Sequence, residues 1–542
     1  MRKRHTAWAG VWGTLFLVAG VAFSFLTGGC GKSKTSSSQK SSSVKGNTKK
    51  QKAKPPLDGW PKPAFALVLS GEQNGYLEPC GCTAENQMGG MSHRADLFRI
   101  IREKGWPVTA FDLGGAIYRT RKQDEFKLKA ILSGFQTLGY TAAALGTKEM
   151  EFARDTDFLL TLPNLSPDEE ETKPPYVAAN VNIEDFGPRK TQIVKVGGKI
   201  IGVTAVFGKK YQRKILPEGS TAKPEMTDPK TELKAALAEL KKQKPDFLVL
   251  LSHASMEESR EYAKTFPDTF DVVLSADGPE DGIPKPELIG KTRLLNVGLK
   301  GKHVGVVGFY PDEKDEQKRL RFELVELDGK RFKDVESMRQ LMREYQKELY
   351  GNHADIFAEV KFGPHPSGST YVGAKKCGEC HTKAYAKWKT TKHAKAYDGL
   401  LLGREDQRLK GIKPIKRDYD PECLACHVTG WDAEKFLRYD SGFQIKELAE
   451  SAGKPELYSL LKGQQCENCH GPGSQHTTLE EAWKIDPKPE LNDRLIKLRN
   501  DMKLTVELAK ERRTCYKCHD LDNSPNFKFD KYWKEVEHKG KD

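Results

Sequence analysis

The chain has 542 residues, 37% of them hydrophobic, with 89 Lys+Arg against 75 Asp+Glu and 11 cysteines, a length that suits two or more domains with ordinary cores. A mean hydropathy of -0.64 excludes a polytopic membrane protein, and the hydrophobic content excludes a wholly disordered chain. The net charge of +14 would suggest nucleic acid, but Arg2, Lys3, Arg4 and eight lysines between residues 31 and 56 carry eleven of those charges, so nucleic acid is not expected as a partner.

Residues 1–29 read as a signal peptide: the basic start, an apolar run from Trp8 to Leu26, then Thr27-Gly28-Gly29 before Cys30. The run is also long enough to span a bilayer, so an uncleaved anchor is the competing reading. The stretch Leu26-Thr27-Gly28-Gly29-Cys30 resembles a bacterial lipobox, which implies cleavage before Cys30 and lipidation of its thiol. Residues 30–56, with seven Ser and eight Lys, have too little apolar surface to fold and read as a tether. Either reading places the body outside the cytoplasm, where covalent cofactor attachment is available; the lipobox reading makes it lipid-anchored, in the periplasm or at the outer membrane and cell surface.

Over residues 57–330 short apolar runs alternate with helical stretches. The runs are Ala64–Ser70, Val108–Leu113, Thr141–Leu145, Tyr176–Val181, Ile200–Phe207, Phe247–Leu251, Val272–Leu274, Arg293–Val297 and Val304–Tyr310; the helices include Ser92–Glu103, Lys127–Leu138 and Thr231–Lys242. This pattern predicts an α/β layered domain. Gly71-Glu-Gln-Asn-Gly-Tyr-Leu-Glu-Pro79, Gly89-Gly90 before Arg94, Phe111-Asp-Leu-Gly-Gly115, Leu145-Gly-Thr-Lys-Glu149, Ser252-His253 and Asp271-Val-Val-Leu resemble, in order, the metallophosphoesterase domain of bacterial 5′-nucleotidases. That resemblance implies two metals held by Asp and His ligands, yet the matching places hold Glu72, Asn74, Gly115, Thr147, Lys148, His253 and a stretch around Asp277 without histidine. Two-metal hydrolysis needs a bridging carboxylate, and Gly115 has none. The expectation is a degenerate domain that keeps the fold without phosphoesterase activity, with His253 a structural remnant. Its cleft is then free for an unknown ligand: a partner, a small anion held by Lys148 and Arg94, or the C-terminal domain itself. Cys80-Gly-Cys82 is followed by Thr83, so it is no haem site; a strained disulfide and a metal- or partner-facing pair are both open.

Residues 331–370 read as a helical connector, with Val335, Met338, Leu341, Met342, Tyr345 and Leu349 near helical spacing. His353 and His365 follow.

Residues 371–542 carry the strongest signal. Cys377-Gly-Glu-Cys380-His381, Cys423-Leu-Ala-Cys426-His427, Cys466-Glu-Asn-Cys469-His470 and Cys515-Tyr-Lys-Cys518-His519 are four copies of the c-type haem attachment pattern. Two thiols reach the vinyl groups of one porphyrin and the adjoining imidazole becomes the proximal iron ligand. Zinc sites or redox dithiols would need CxxC but not the histidine, and with 13 His in the chain its chance recurrence four times is about one in a few million. The chain is therefore expected to carry four covalent haems. The other histidines beyond residue 350 are His353, His365, His393, His476 and His538, whereas Met502 is the single methionine after residue 342, which favours His/His ligation and low potentials. His393, in Trp388-Lys-Thr-Thr-Lys-His393, and His476, in His470-Gly-Pro-Gly-Ser-Gln-His476, sit in motif-like surroundings. Seven lysines and one acid between Lys375 and Lys395 form either a docking face for an acidic redox partner or a plain solvated surface.

Tyr371-Val-Gly-Ala-Lys-Lys-Cys377, Arg417-Asp-Tyr-Asp-Pro-Glu-Cys423, His427-Val-Thr-Gly-Trp431, Gln465-Cys466-Glu-Asn-Cys469-His470-Gly-Pro-Gly473 and His519-Asp-Leu-Asp-Asn-Ser-Pro525 resemble the cytochrome c-554 family of multihaem electron-transfer proteins. The resemblance spans about 170 residues and all four motifs. It implies a mostly α-helical tetrahaem domain, His393 and His476 as distal iron ligands with His538 a further candidate, and one iron that is five-coordinate. The expected function is electron transfer among other redox proteins at a membrane. Against it stand an oxidoreductase acting on a small nitrogen or sulfur compound at an open haem, and a nucleotide or phosphate-ester hydrolase with a redox domain.

Overall fold

The computed structural model describes residues 54–79, 87–152, 162–165, 176–183, 187–216 and 224–540. The stretch expected to be a signal peptide, and Cys30, Cys80 and Cys82, lie outside the described residues. Residues Ala53–Asp542 form one compact unit.

The N-terminal part is built on two six-stranded sheets. The first runs in the order β14 (Leu320–Glu326), β13 (His303–Phe309), β1 (Phe65–Ser70), β2 (Val108–Asp112), β3 (Tyr140–Ala144), β4 (Tyr176–Val177). The second runs β11 (Glu287–Ile289), β12 (Thr292–Leu295), β10 (Val272–Ser275), β9 (Phe247–His253), β7 (Lys199–Phe207), β6 (Thr191–Val196). Strands β1 to β4 pair in parallel, as do β12, β10, β9 and β7, and the remaining strands close each sheet antiparallel.

Alternation along β1 explains the layering. Phe65, Leu67 and Leu69 join Phe247, Val249, Leu251 and Phe309 in a core between the sheets, where the rings of Phe65, Phe247 and Phe309 lie 5.1–5.4 Å apart. Ala66 and Val68 turn the other way, onto helices α1 (Met91–Glu103) and α2 (Lys122–Leu138). All six residues of β1 are therefore buried, the signature of a strand covered on both faces. The second sheet's outer face packs on helices Pro229–Lys242 and Met256–Thr265.

The run Tyr176–Val181 was expected as one strand and is two. Beyond β4 the Asn180 side chain donates to the carbonyls of Phe207 and Thr227 and accepts from the Phe207 amide. That side chain replaces the ladder, and the chain departs to pair β5 (Val181–Asn182) with β8 (Glu225–Met226).

The connector is helical over Glu336–Gly351, with Met338, Met342, Tyr345 and Leu349 buried. It lies against α2, where Gly134 permits the approach: a Cβ there would stand 2.5 Å from Met91 Cε and 3.1 Å from Leu341 Cδ2. The Tyr345 hydroxyl accepts from Gln123 Nε2 on α2 at 3.0 Å.

From residue 371 the chain is a succession of short helices, with one small sheet formed by β15 (Lys361–Gly363), β17 (Leu437–Tyr439) and β16 (Trp431–Asp432). These helices bury little: Thr382–Lys389 has no buried residue, Ser474–Ile485 only Leu479, and Pro489–Asp501 only Leu495. No described helix is long and apolar enough to cross a membrane.

Candidate haem sites and the cleft of the α/β layers

Each CxxCH motif occupies one helical turn. Helices Pro421–His427 and Cys466–His470 contain the second and third motifs whole. In the first and fourth the His381 and His519 amides donate to the carbonyls of Cys377 and Cys515, both at 2.9 Å. Residues at i, i+3 and i+4 share a helix face, so both thiols and the imidazole of a motif project together. All eight thiols are free of disulfides.

Three of the four motif histidines have their rings held from behind. His427 Nδ1 donates to the Ala396 carbonyl at 2.7 Å, His470 Nδ1 to the Met502 carbonyl at 2.7 Å, and His519 Nδ1 pairs with Ser524 Oγ at 2.9 Å. Engaging Nδ1 this way leaves Nε2 with its lone pair outward, the arrangement metal-bound histidines use. Met502 thus contributes its carbonyl to a proximal histidine.

Opposite these rings stand other histidines. The His393 and His519 ring centres are 6.1 Å apart, and those of His538 and His470 are 5.8 Å apart. With metal–nitrogen bonds of about 2 Å, two imidazoles on one metal have ring centres about 6 Å apart. Both pairs leave room for one iron between them, so the residues present fit haem. His476 lies within electrostatic reach of His381. His353 and His365 instead pack on tyrosines, Tyr350 and Tyr419 for the first and Tyr371 and Tyr439 for the second. Among the described residues, His427 has no second imidazole in ring contact. Sequence spacing could not reveal this crossed pairing, because His393 and His538 are distant in sequence from His519 and His470, the motif rings they face.

The motifs also touch one another. The thiols of Cys377 and Cys466 are within hydrogen-bonding reach, as are those of Cys426 and Cys518, and Cys515 acts electrostatically on Cys469. The attachment sites therefore run in a row: first, third, fourth, second.

In the α/β layers the loops at the carboxyl ends of β1, β2, β3 and β9 form the cleft where open parallel sheets bind ligands. Its side chains face one another. Asp112 accepts from Ser70 Oγ at 2.5 Å and from the Gly114 amide at 2.8 Å. Glu149, on helix α3 (Thr147–Phe152), accepts from the Ala116 amide at 2.5 Å, and full burial raises its carboxyl to about 7. Burial likewise lifts Glu72 to about 7. Glu72, Asn74 and Asp277 all have positive φ, 46°, 53° and 60°, and strain of this kind gathers at functional sites. The Asp277 amide donates to Glu72 Oε2 at 3.2 Å.

His253 Nδ1 donates to the Leu113 carbonyl at 3.3 Å while Nε2 stands 3.4 Å from Thr147 Oγ1. Its ring stacks on Phe207 at an angle of 2°, and burial lowers it to about 4, so it is a neutral packed imidazole. A Cβ on Gly115, at φ 73°, would meet Glu72 Cα at 3.0 Å, so a bridging carboxylate at this position would be strained in its backbone and tight against Glu72. Among the described residues no three His, Cys, Asp or Glu side chains converge as a metal site. The expectation that Arg94 and Lys148 hold an anion is corrected: Arg94 is fully buried, 3.4 Å from Ser70 Oγ and from the Tyr140 hydroxyl, and Lys148 pairs with Glu151 at 2.6 Å.

Residues missed by sequence reading join the two halves. Glu422, just before Cys423, receives Lys127 at 2.8 Å, Arg121 at 2.7 Å and Arg119 at 3.1 Å. Asp420 caps the same helix and accepts from Gln123 and Gln346 at 2.9 and 3.0 Å. Asp522, beyond the fourth motif, takes Lys300 at 2.6 Å and the Tyr76 hydroxyl at 2.8 Å, and Arg417 binds Glu78. The C-terminal half is thus seated on the rim of the cleft.

These features describe a multidomain protein, an α/β layered domain joined to a helical region that carries four c-type haem attachment motifs. Residues 376–471 match the family model described as Cytochrome c554 and c-prime, a match that implies covalent c-type haem and electron transfer. The chain is similar to the cytochrome c-554 of Nitrosomonas europaea, 29% identical over 194 residues, covering 31% of this chain and 73% of that protein. It is also similar to an apyrase of Aedes albopictus, 26% identical over 171 residues, covering 27% of this chain and spanning only 30% of the apyrase. Among solved structures, a 5′-nucleotidase precursor from Thermus thermophilus superposes with a TM-score of 0.41 and 18% identity, covering 64% of this chain and 68% of that one.

Proposed function

We propose that the protein is an exported tetrahaem cytochrome, held to a membrane through a lipid on Cys30, that passes electrons between redox proteins in the periplasm or at the cell surface. The observation that carries this is the pair of imidazole couples, His393 with His519 and His538 with His470, set one iron's width apart behind CxxCH turns. Four haems would be held by the thiols of Cys377 and Cys380, Cys423 and Cys426, Cys466 and Cys469, and Cys515 and Cys518, with His381, His427, His470 and His519 proximal and His476, His538 and His393 distal. Bound haem supplies one-electron chemistry. The row of sites runs from the second motif, which faces the α/β layers, to the first. Lys375, Lys383 and Lys389 near the first motif, and Lys392 and Lys395 beside His393, are exposed with Glu379 the one acid among them, a mostly basic stretch suited to an acidic redox partner. No nucleic acid is needed as a partner, and the α/β domain acts without hydrolysis.

A second reading has its own observation. Because His353 and His365 are engaged by tyrosines, an iron at His427 keeps an open position, where a small nitrogen or sulfur compound would react. One set of measurements on purified holoprotein tests both. A pyridine haemochrome assay should give four haems per chain, and a count far from four overturns the proposal. EPR should give three low-spin bis-imidazole irons and one high-spin iron. Nitric oxide or hydroxylamine binding with turnover at the latter would make the protein an enzyme; four inert low-spin irons would leave a carrier alone.

A further inference from the structure

We propose that the α/β layers set the reduction potential of the haem attached at Cys423 and Cys426, through the cations they close on Glu422; the inference rests on the haem reading above. Glu422 directly precedes the attachment thiol, on the first turn of helix Pro421–His427. Its carboxylate is met by Arg119, Arg121 and Lys127. All three come from α2 and the turn that leads into it, so the α/β layers supply every positive charge on that carboxylate. The Arg121 guanidinium also stands over the Phe436 ring, its central carbon 4.1 Å from the ring centre, a contact that helps hold its direction.

The acids facing this cluster are Asp124, 3.3 Å from Arg121 and 4.0 Å from Lys127, and Asp420, held by Gln123 and Gln346. Behind the helix Arg417 and Glu78 form a neutral pair. The cluster is balanced only while the α/β cations are present.

The two acids of the cluster reach the cofactor position, since Glu422 and Asp420 both act electrostatically on the Cys423 thiol, and the three cations act on that thiol through the carboxylate they neutralise. Lys127 is 8% exposed and Arg121 19%, against 31% for Glu422 and 49% for Arg119, so solvent screens the Lys127 and Arg121 side of this field least. A negative charge near the iron favours the ferric state and a positive charge the ferrous. Without the α/β cations the carboxylate of Glu422 would hold this haem at a lower potential.

The test uses full-length holoprotein in a mediated optical redox titration, comparing wild type with Glu422→Gln, Lys127→Met and Arg121→Gln. One midpoint should rise in Glu422→Gln and fall in both cation variants, the other midpoints staying in place. No shift, or shifts of the same sign in all variants, overturns the proposal, because mere loosening of the helix would not reverse direction with the charge removed. Should Lys127→Met fail to accumulate, Arg119→Gln, whose side chain is half exposed, replaces it with the same downward shift expected. Mass analysis of the Cys423 peptide separates the two readings. A peptide with haem and an unmoved midpoint overturns this inference alone; a peptide without haem overturns both.

Discussion

Glu149 is a carboxyl group buried where its charge has little compensation. One oxygen takes the Ala116 amide, the other has no hydrogen-bond partner, and full burial lifts the group from 4.5 to about 7. Between those values the folded chain binds a proton that the unfolded chain has released. Stability from this site is therefore complete below about pH 4.5 and is lost as pH rises through about 7. Glu149→Gln cannot ionise and keeps the acceptor, so it should gain on wild type as pH is raised, by up to about 3 kcal/mol at pH 8 relative to pH 5. Urea unfolding followed by circular dichroism at the two pH values measures this; equal differences at both would refute it. The replacement of metal-ligand residue types by Gly115 and Lys148 is visible in the sequence itself. The direction of Arg94 is not, since a cation before a cleft and a cation beneath its floor have the same sequence.

At the scale of elements, legibility followed local period. The connector helix was readable from Met338, Met342, Tyr345 and Leu349 because helical spacing survives in one continuous stretch, and all four are buried. Strands β1, β2, β7, β9 and β13 announced themselves as apolar runs. Strands β6, β11 and β14 did not, because edge strands leave much of their length uncovered: in β14 only Leu320 and Val325 are buried, and Glu323 within it accepts from the Leu57 amide at 3.1 Å. The connector's packing makes a measurable claim. Leu349 is fully buried in a core that continues from α2 into Leu424 and Val428 beside the second haem motif. Leu349→Ala should cost about 2–4 kcal/mol, the range for truncating a buried leucine. A shift in urea midpoint corresponding to less than about half a kcal/mol would mean that the helix is only a linker.

The whole molecule divides its stability unevenly between its two halves. The α/β part has strands such as β1, β9 and β13 with every residue buried and an aromatic cluster between its sheets. In the cytochrome part, one helix after another buries a single side chain or none, and the turn Cys515–Lys517 buries nothing. Helices that bury so little are not stable alone in water; on the haem reading proposed above, the cofactors would supply the missing apolar volume, as in small domains organised around a bound metal. The four motifs were legible because covalent attachment fixes their spacing within one turn. The seat of the cytochrome on the cleft rim was not, because Glu422 and Asp522 read as ordinary acids until the fold brings Lys127 and Lys300 to them. Chain made in a host without haem-attachment machinery should then be half folded. Limited proteolysis should leave a resistant fragment ending near residue 360, with sites throughout residues 371–540 cut early, while holoprotein resists over both halves. Equal resistance of the two halves in haem-free chain would mean that polypeptide packing alone holds the cytochrome region, and that the contacts of Glu422 and Asp522 with the α/β layers suffice to fold it.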